Sequence, residues 1–302
     1  MNISSQSICF DNVFNNSFKE KNISLTLARL DKIHEDVSGN KIFKLHYFIE
    51  ECLVSSHKTL LTFGGAFSNH LVATAFLCKQ KGVKSIGIVR GEESKILSHT
   101  LARCKDLGMN LKFISRQNYK NFDSNEEDID ALKNSFGDFT MVPEGGYNAT
   151  GAKGASLIMD VVKPDKFSYI CTAVGTATTL AGLLLKKKVD QEIIAIPVIK
   201  NMMDITERLN YLGVAAADKI PIVFSDYHFG GYAKQTKELI SFMNSFYAET
   251  QIPTDFVYTA KMMYAIYEKI NSGYFADGSN ILCIHTGGLQ GNKSLPQGTL
   301  IF

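Results

Sequence analysis

Short apolar runs rich in β-branched residues alternate with segments of helical periodicity along the chain from residue 59 onward. The apolar runs predict buried strands over 59–63, 85–89, 111–114, 139–142, 169–174, 193–198, 221–224 and 281–285. The periodic segments predict helices over 71–82, 98–108, 151–162, 179–188, 204–212, 235–248 and 261–271, and the acidic segment 121–138 predicts a surface helix with its loops. Apolar strands separated by helices indicate mostly parallel sheets covered on both faces, so we expect an α/β fold.

Composition and charge narrow the class of protein. The chain has 302 residues, of which 45% are hydrophobic and 21% charged, as is usual for a globular protein of one or two domains. Its 32 basic and 30 acidic residues are scattered together and give a formal net charge of +2. This distribution provides no broad positive field, so we expect no nucleic-acid partner.

The cysteines and the N-terminal segment bear on location. The six cysteines are widely separated and form no CxxC motif or Cys/His pair at metal-ligand spacing, so we expect no metal site. Several of them have apolar neighbours, which favours buried free thiols in a reducing compartment. The N-terminus MNISSQSICF lacks the pattern of a secretory leader, and no apolar run has the length of about 18 residues that a membrane span needs. We therefore expect a cytoplasmic protein that has no contact with a membrane.

One lysine stands at an electrostatically unfavourable place. The stretch SGNKIFKL, residues 38–45, puts Lys41 after a Gly-Asn turn, at the start of an amphipathic run that contains Ile42, Leu45 and Phe48. The first turn of a helix carries partial positive charge on its free N–H groups, which disfavours a cation. Lys41 is therefore either a tolerated surface residue or a lysine whose pKa is lowered for nucleophilic chemistry.

A first glycine-rich turn, GGAFSNH at 64–70, joins a predicted strand to a predicted helix. Ser68 and Asn69 are favourable N-cap residues, so helix capping alone explains the turn. The same arrangement suits a substrate carboxylate, which the helix N–H groups and the Ser68 hydroxyl would hold. Both interpretations are open on this motif.

A second turn, AVGTATTLAG at 173–182, leads from a strand through small hydroxyl residues into a helix. Its candidate phosphate ligands are Thr176, Ala177, Thr178 and Thr179. A capped helix packed closely on the sheet is the alternative. The motif matches neither GxGxxG nor GxxxxGK[ST]. A phosphate site without a P-loop lysine, together with a nucleophilic Lys41, suggests pyridoxal 5′-phosphate as the cofactor.

A third turn and two tyrosines complete the candidates. HTGGLQG at 285–291 follows a predicted strand, at the kind of sheet edge where open α/β folds bind ligands. His285 alone is explained better as a structural residue than as a catalytic base. Tyr232 in FGGYAK and Tyr258 in VYTAKMM each lie beside a turn or a helix start, where a core tyrosine is the simpler interpretation.

These six stretches resemble, in the same order along the chain, the 1-aminocyclopropane-1-carboxylate (ACC) deaminase and D-cysteine desulfhydrase family of pyridoxal-phosphate enzymes. The resemblance covers residues 27–291 and implies the fold type II, tryptophan-synthase-β-like architecture of two three-layer α/β/α domains. It implies a larger cofactor-binding domain from 1–46 and 146–302 and a smaller inserted α/β domain at 47–145. It also implies a homodimer that acts on a small amino acid.

The resemblance assigns cofactor contacts to individual residues. It implies that Lys41 is the Schiff-base lysine, that Lys44 helps to hold the phosphate and that Asn69 hydrogen-bonds the phenolic oxygen of the cofactor. Residues 176–179 match the phosphate loop, which is often richer in glycine in the family.

Five further positions concern the substrate and the reaction. By resemblance, Ser68 contacts the substrate, and Tyr232 and Tyr258 lie near the substrate and the lysine. ACC deaminases have a glutamate facing the pyridine nitrogen where this chain has Thr259, and a leucine where it has Thr286. A hydroxyl does not keep that nitrogen protonated, and opening a cyclopropane needs the resulting electron sink more than eliminating sulfide does.

The expected function is therefore that of a pyridoxal-phosphate lyase most like D-cysteine desulfhydrase. ACC deaminase is the nearest alternative, and another reaction of fold type II, such as serine dehydration or racemisation, is also open. A non-catalytic protein that binds pyridoxal phosphate is the alternative from a different class.

Overall fold

The computed structural model describes residues 8–120, 122, 125–214 and 219–302. Residues 121, 123 and 124 of the predicted acidic segment lie outside the described residues. The helices are α1 Asn16–Glu20, α2 Lys41–Val54, α3 Asn69–Lys81, α4 His99–Asp106, α5 Arg116–Tyr119, α6 Glu126–Phe136, α7 Ala149–Val162, α8 Thr178–Lys186, α9 Ile205–Tyr211, α10 Lys237–Thr250 and α11 Thr259–Asn271. The strands are β1 Cys9–Val13, β2 Ser24–Arg29, β3 Thr59–Gly65, β4 Lys84–Arg90, β5 Asn110–Ile114, β6 Thr140–Val142, β7 Tyr169–Val174, β8 Glu192–Pro197, β9 Ile222–Val223 and β10 Asn280–His285.

The strands form two sheets. The larger sheet has the order β1-β2-β10-β7-β8-β9 and is parallel except for β1, which pairs antiparallel with β2. The smaller sheet has the order β5-β4-β3-β6 and is parallel throughout. The predicted α/β class with mostly parallel sheets is confirmed. The exact division of the chain at 46/47 and 145/146 stays a prediction.

Helices cover both faces of the larger sheet, because its inner strands are apolar on both sides. In β7, Ile170 and Val174 face one core, together with α2, α7, α8 and α9, whereas Cys171 and Ala173 face a second core with α1, α10 and α11. This alternation follows from the two-residue period of a strand. The smaller sheet is covered in the same way, with α3 and α4 on one face and α6 on the other.

Two strands precede the first one predicted. The sequence predicts none before residue 59, yet β1 and β2 form one edge of the larger sheet. The pattern of β1, CFDNV, is polar because this edge strand is largely exposed. In β2, the buried Thr26 hydroxyl donates to Asn12 Oδ1 on β1 at 2.9 Å. A polar residue is thus buried where the apolar pattern indicates no strand.

No helix among the described ranges is long and apolar enough to span a membrane.

A close approach of two backbones fixes the start of α2. Gly39 has φ +77°, and a Cβ built on it would lie 1.8 Å from the Thr286 carbonyl oxygen. The Asn40 N–H donates to the same oxygen at 3.3 Å. Glycine at 39 therefore lets the segment before Lys41 pack directly on the turn that follows β10.

We predict that Gly39→Ala lowers the free energy of unfolding by about 3 kcal/mol or more, since the methyl group forces the two backbones apart. Gly82→Ala is the matched control, because Gly82 has φ +68° and no heavy atom lies within 4 Å of a Cβ there. It is expected to cost only about 1 kcal/mol, from the left-handed backbone alone. Urea unfolding of both variants measures the difference, and equal losses would contradict the proposed steric origin.

Candidate functional site

The carboxyl ends of strands from both sheets border one cavity of about 570 Å³. Gly65 and Arg90 end β3 and β4 on one side, while Val174 ends β7 and Thr286 follows β10 on the other. Parallel α/β sheets bind ligands at this edge, and a cavity of this size suits a cofactor with a small substrate.

Lys41, the first residue of α2, lines this cavity. Its Nζ donates to Asn40 Oδ1 at 2.7 Å, and Asn40 Nδ2 donates in turn to the Thr179 hydroxyl at 2.6 Å. Burial lowers the pKa of Lys41 to about 8, and the charge of Asp255 offsets part of this effect. A larger fraction of this amine than of an ordinary lysine is therefore neutral, and nucleophilic, near neutral pH.

Lys44 lies one turn along α2, is buried and also lines the cavity. Its Nζ donates to the Gly145 carbonyl oxygen at a long 3.4 Å. Burial, together with the charge of the neighbouring Lys41, lowers the pKa of Lys44 to about 7. An anion bound here would favour the charged form of the amine.

The predicted phosphate loop forms the turn from β7 into α8. Ala177 is buried with φ +67°, and α8 starts at the next residue without a side-chain cap. The hydroxyls of Thr176 and Thr178 lie 2.9 Å apart. The first N–H groups of α8 therefore border the cavity and are open to an anion. Residues 176–179 all line it.

The turn before α3 both caps that helix and faces the cavity. The Ser68 hydroxyl accepts a hydrogen bond from the Leu71 N–H at 3.4 Å, so the capping interpretation holds. Asn69 Oδ1 is buried and has no hydrogen-bond partner among the described residues. Because buried polar atoms are normally paired, this oxygen indicates a ligand.

His70, the next residue, is neutral and its tautomer is determined by its neighbours. The Thr62 hydroxyl donates to the Val142 carbonyl oxygen at 2.8 Å, so it accepts from His70 Nε2 at 2.9 Å. Burial, reinforced by Lys41 and Lys44, lowers the pKa of His70 to about 3. The imidazole therefore adds no positive charge to the cavity.

The two predicted tyrosines meet at the cavity. The Tyr258 hydroxyl donates to the Tyr232 hydroxyl at 3.4 Å, and the rings pack edge to face with centroids 6.0 Å apart. Tyr232 is 54% exposed. Burial, followed by the neighbouring Tyr232, raises the pKa of Tyr258 well above its usual value, so this phenol keeps its proton.

Thr259 is the predicted site residue that does not line the cavity. Its hydroxyl donates to Asp255 Oδ1 at 2.7 Å and accepts from the Asp255 N–H at 2.8 Å. The hydroxyl expected to face the pyridine nitrogen is thus engaged at the start of α11. Asp255 lines the cavity instead, and Thr286 also lines it.

Asp255 caps α11 with both carboxylate oxygens. Oδ2 accepts from the N–H groups of Val257 at 3.0 Å and Tyr258 at 2.9 Å, and Oδ1 accepts from the N–H and hydroxyl of Thr259. These four bonds use all the lone-pair sites of a carboxylate. Asp255 therefore acts through its charge and holds the helix start, with no acceptor site left for a ligand.

His285 has a structural environment, as expected from the sequence. Its Nε2 lies 2.8 Å from the Pro253 carbonyl oxygen, and its Nδ1 lies 3.1 Å from Asp31 Oδ1. Asp31 is in turn bound by two nitrogens of Arg29. This buried group ties the end of β2 to the end of β10, beside the cavity rather than in it.

Sequence reasoning missed two charged side chains on the side of the smaller sheet. Arg90 and Glu144 both line the cavity. The Tyr119 hydroxyl donates to Glu144 Oε2 at 3.1 Å, and the guanidinium of Arg90 lies 5.8 Å from the Tyr119 ring centroid. Both charges follow or end a predicted strand, which is the signal that could have identified them.

The donor set fits pyridoxal phosphate, the cofactor predicted from the sequence. Lys41 supplies an amine of lowered pKa, and the start of α8 with Lys44 supplies N–H groups and positive charge for a phosphate. Asn69 supplies a buried polar group without a partner. These groups face one cavity, which satisfies the needs of an aldehyde and of a phosphate on one small molecule.

Comparison with known proteins gives the same result. A family model described as pyridoxal-phosphate dependent enzyme matches residues 15–287. A Pyrococcus abyssi protein named putative 1-aminocyclopropane-1-carboxylate deaminase is 29% identical over 293 residues, which covers 90% of this chain and 87% of that protein. A mitochondrial Arabidopsis thaliana protein named bifunctional D-cysteine desulfhydrase/1-aminocyclopropane-1-carboxylate deaminase is 29% identical over 298 residues, covering 88% and 73% respectively.

The solved structure of an ACC deaminase homologue superposes with a TM-score of 0.83 at 26% identity and covers 97% of this chain and 92% of that one. The fold type II architecture and the resemblance predicted from the six motifs are thereby confirmed. The chain belongs to the family of pyridoxal-phosphate-dependent enzymes.

Proposed function

We propose that this enzyme is a lyase that converts D-cysteine and water to pyruvate, sulfide and ammonia. The observation that carries the proposal is the lysine of lowered pKa in a cavity with an uncapped helix start. Relatives named D-cysteine desulfhydrase and ACC deaminase support an amino-acid substrate. ACC deamination to 2-oxobutyrate and ammonia is the second candidate, because several similar proteins carry that name.

Lys41 is the proposed attachment point and the proposed base. When bound, pyridoxal phosphate supplies an electron sink for negative charge at the substrate α-carbon. Lys44, residues 176–179 and Asn69 would hold it. The free Nζ of Lys41 would remove the α-proton of the substrate, a task suited to an amine with a pKa of about 8.

The start of α3 is the proposed site for the substrate carboxylate. Ser68 Oγ accepts from the Leu71 N–H, so its own O–H is available to donate to a carboxylate. The positive end of α3 favours an anion at the same place.

The two phenols are the proposed proton donors at the leaving group. Tyr258 stays protonated because burial raises its pKa. Its hydroxyl contacts Tyr232, whose exposed ring reaches solvent. This pair would let a proton pass between bulk water and the departing sulfur, after which the remaining enamine hydrolyses to pyruvate and ammonia.

The proposed preference for D-cysteine over ACC depends on whether a carboxylate is available to hydrogen-bond the pyridine nitrogen of the cofactor. Thr259 replaces the glutamate of ACC deaminases, and its hydroxyl is held by Asp255. Asp255 has no lone-pair site left to accept a hydrogen bond from a protonated pyridine nitrogen. Opening a cyclopropane needs that proton most, whereas sulfide is a good leaving group.

We also propose that the enzyme is a cytoplasmic homodimer. The six cysteines are free, which suits a reducing compartment. The dimer is an expectation from the family resemblance.

We predict that the purified enzyme shows a visible absorption band that Lys41→Ala abolishes, and that this variant loses turnover by about 10³-fold. Lys81→Ala, an exposed lysine at the end of α3, is the control and should retain both. Absorption spectra and turnover assays check this result. A colourless wild-type protein, or a band that survives in Lys41→Ala, would refute the assignment.

A substrate comparison separates the two candidate reactions. D-cysteine is expected to give pyruvate and sulfide, and ACC is expected to give little 2-oxobutyrate because Thr259 stands where ACC deaminases have a glutamate and the acceptor sites of Asp255 are already filled. Assays with L-cysteine test whether the enzyme distinguishes the two configurations of cysteine. Assays with D-serine test whether it requires a sulfur leaving group. Faster release of 2-oxobutyrate from ACC than of pyruvate from D-cysteine would reverse the assignment.

The reactivity of Lys41 should depend on pH in a distinct way. In protein freed of cofactor, the rate at which a limiting amount of an amine-reactive acylating reagent labels Lys41 should increase with a midpoint at pH about 8. The corresponding midpoint for an exposed lysine is about 10.4. Mass spectrometry of the labelled peptides measures each midpoint. In Lys41→Met, the midpoint of Lys44 should rise from about 7, because the neighbouring charge that lowers it is gone. Unchanged Lys44 reactivity would contradict the coupling.

A further inference from the structure

The segment that carries Tyr232 is tied to α11 by a buried ammonium group. Lys261, in the first turn of α11, is 0% exposed. Its Nζ donates to the carbonyl oxygens of His228 and Gly231, each at 2.8 Å. Both acceptors belong to residues 228–234, which we call the tyrosine segment.

The backbone of the tyrosine segment is unfavourable without such a contact. Phe229 and Ala233 have φ +49° and +53°, and Gly230 and Gly231 have φ +90° and +116°. The left-handed region is costly for the two non-glycine residues and persists only where surrounding contacts enforce it. The carbonyl groups of 228 and 231 converge on one point, where a cation offsets their mutual repulsion.

Asp255, just before the start of α11, provides a negative charge that favours the charged form of Lys261. Burial lowers the pKa of Lys261 to about 8, and Asp255 offsets part of the effect. Buried charges are retained when they are paired and hydrogen-bonded. At the start of α11, the carboxylate of Asp255 therefore binds backbone N–H groups of the helix, whereas the ammonium of Lys261 binds carbonyl oxygens of the tyrosine segment.

Asp255 and Lys261 each hold the backbone beside one of the two phenols. Asp255 Oδ2 binds the Tyr258 N–H at 2.9 Å, and Lys261 binds the carbonyl group directly before Tyr232. Because the Tyr232 ring is exposed, few packing contacts hold it in place besides its edge contact with Tyr258. The position of the Tyr232 hydroxyl therefore depends on the backbone that Lys261 holds.

We propose that Lys261 is a positioning residue that clamps the tyrosine segment and thereby keeps the Tyr232 hydroxyl against Tyr258 at the cavity. Lys261 does not line the cavity and acts through Tyr232. The inference rests on the proposed function, in which the two phenols carry the proton to the leaving group.

A double-mutant cycle tests the positioning role. Lys261→Met keeps the apolar length of the side chain and removes the donors, and should lower kcat about tenfold while KM changes less than about twofold. Tyr232→Phe should lower kcat in the wild type but add less than about a twofold loss in Lys261→Met, since the hydroxyl is already displaced. Lys237→Met, an exposed lysine at the start of α10, should leave kcat and KM unchanged.

A second readout does not depend on turnover. Chymotrypsin should cut after Phe229 or Tyr232 faster in Lys261→Met than in the wild type or in Lys237→Met, as measured by mass spectrometry of the fragments. Lys261→Gln keeps one amide donor and should give an intermediate rate. It serves in place of Lys261→Met if circular dichroism shows that the latter does not fold.

Equal losses from Tyr232→Phe in both backgrounds, or unchanged cleavage of the tyrosine segment, would overturn the proposal. A wild-type protein that processes no amino acid would refute the proposed function alone, and the cleavage rates would still decide whether Lys261 clamps the segment.

Discussion

Two amines of lowered pKa in one cavity are the constraint on which the site depends. Lys41 and Lys44 lie one turn apart on α2, and burial lowers the pKa of both. The start of α8, which Asn40 contacts through Thr179, adds uncapped N–H groups. Asp255 is a buried counter-charge, but its oxygens are already engaged. A cavity of this kind is stabilised by bound anions, which explains why a phosphate cofactor and a carboxylate substrate suit it.

The position of these amines depends on tight backbone contacts between distant parts of the chain. Gly39 packs against the Thr286 carbonyl group, and a Cβ at Gly288 would lie 2.9 Å from Asp255 Cγ. The turn after β10 therefore holds both the lysine segment and the counter-charge. Side chains at either glycine would disturb the packing that buries Lys41 and places Asp255, whose charge offsets part of the effect of burial on the pKa of Lys41.

The start of α11 shows how the meaning of a substitution changes in three dimensions. By resemblance, Thr259 removes a carboxylate that would face the cofactor. In the structure a carboxylate is nearby, from Asp255, and Thr259 binds it. The threonine thus helps to occupy the acceptor sites of the remaining carboxylate. The proposed preference for D-cysteine over ACC therefore depends on a hydrogen-bonding pair rather than on one position.

The sequence by itself determined the parallel α/β class, the eight strands described from residue 59 onward, the helix starting at Lys41 and, through its resemblance to a family, the cofactor. Apolar periodicity and glycine-hydroxyl turns are local signals, so they can be read along the chain. The sequence did not reveal β1 and β2, whose polar side chains form hydrogen bonds between the strands. It also did not reveal the roles of Asp255 and Lys261. Only the tertiary structure decided these, because a lowered pKa, a saturated carboxylate and a clamped loop arise from groups far apart in sequence that burial brings together.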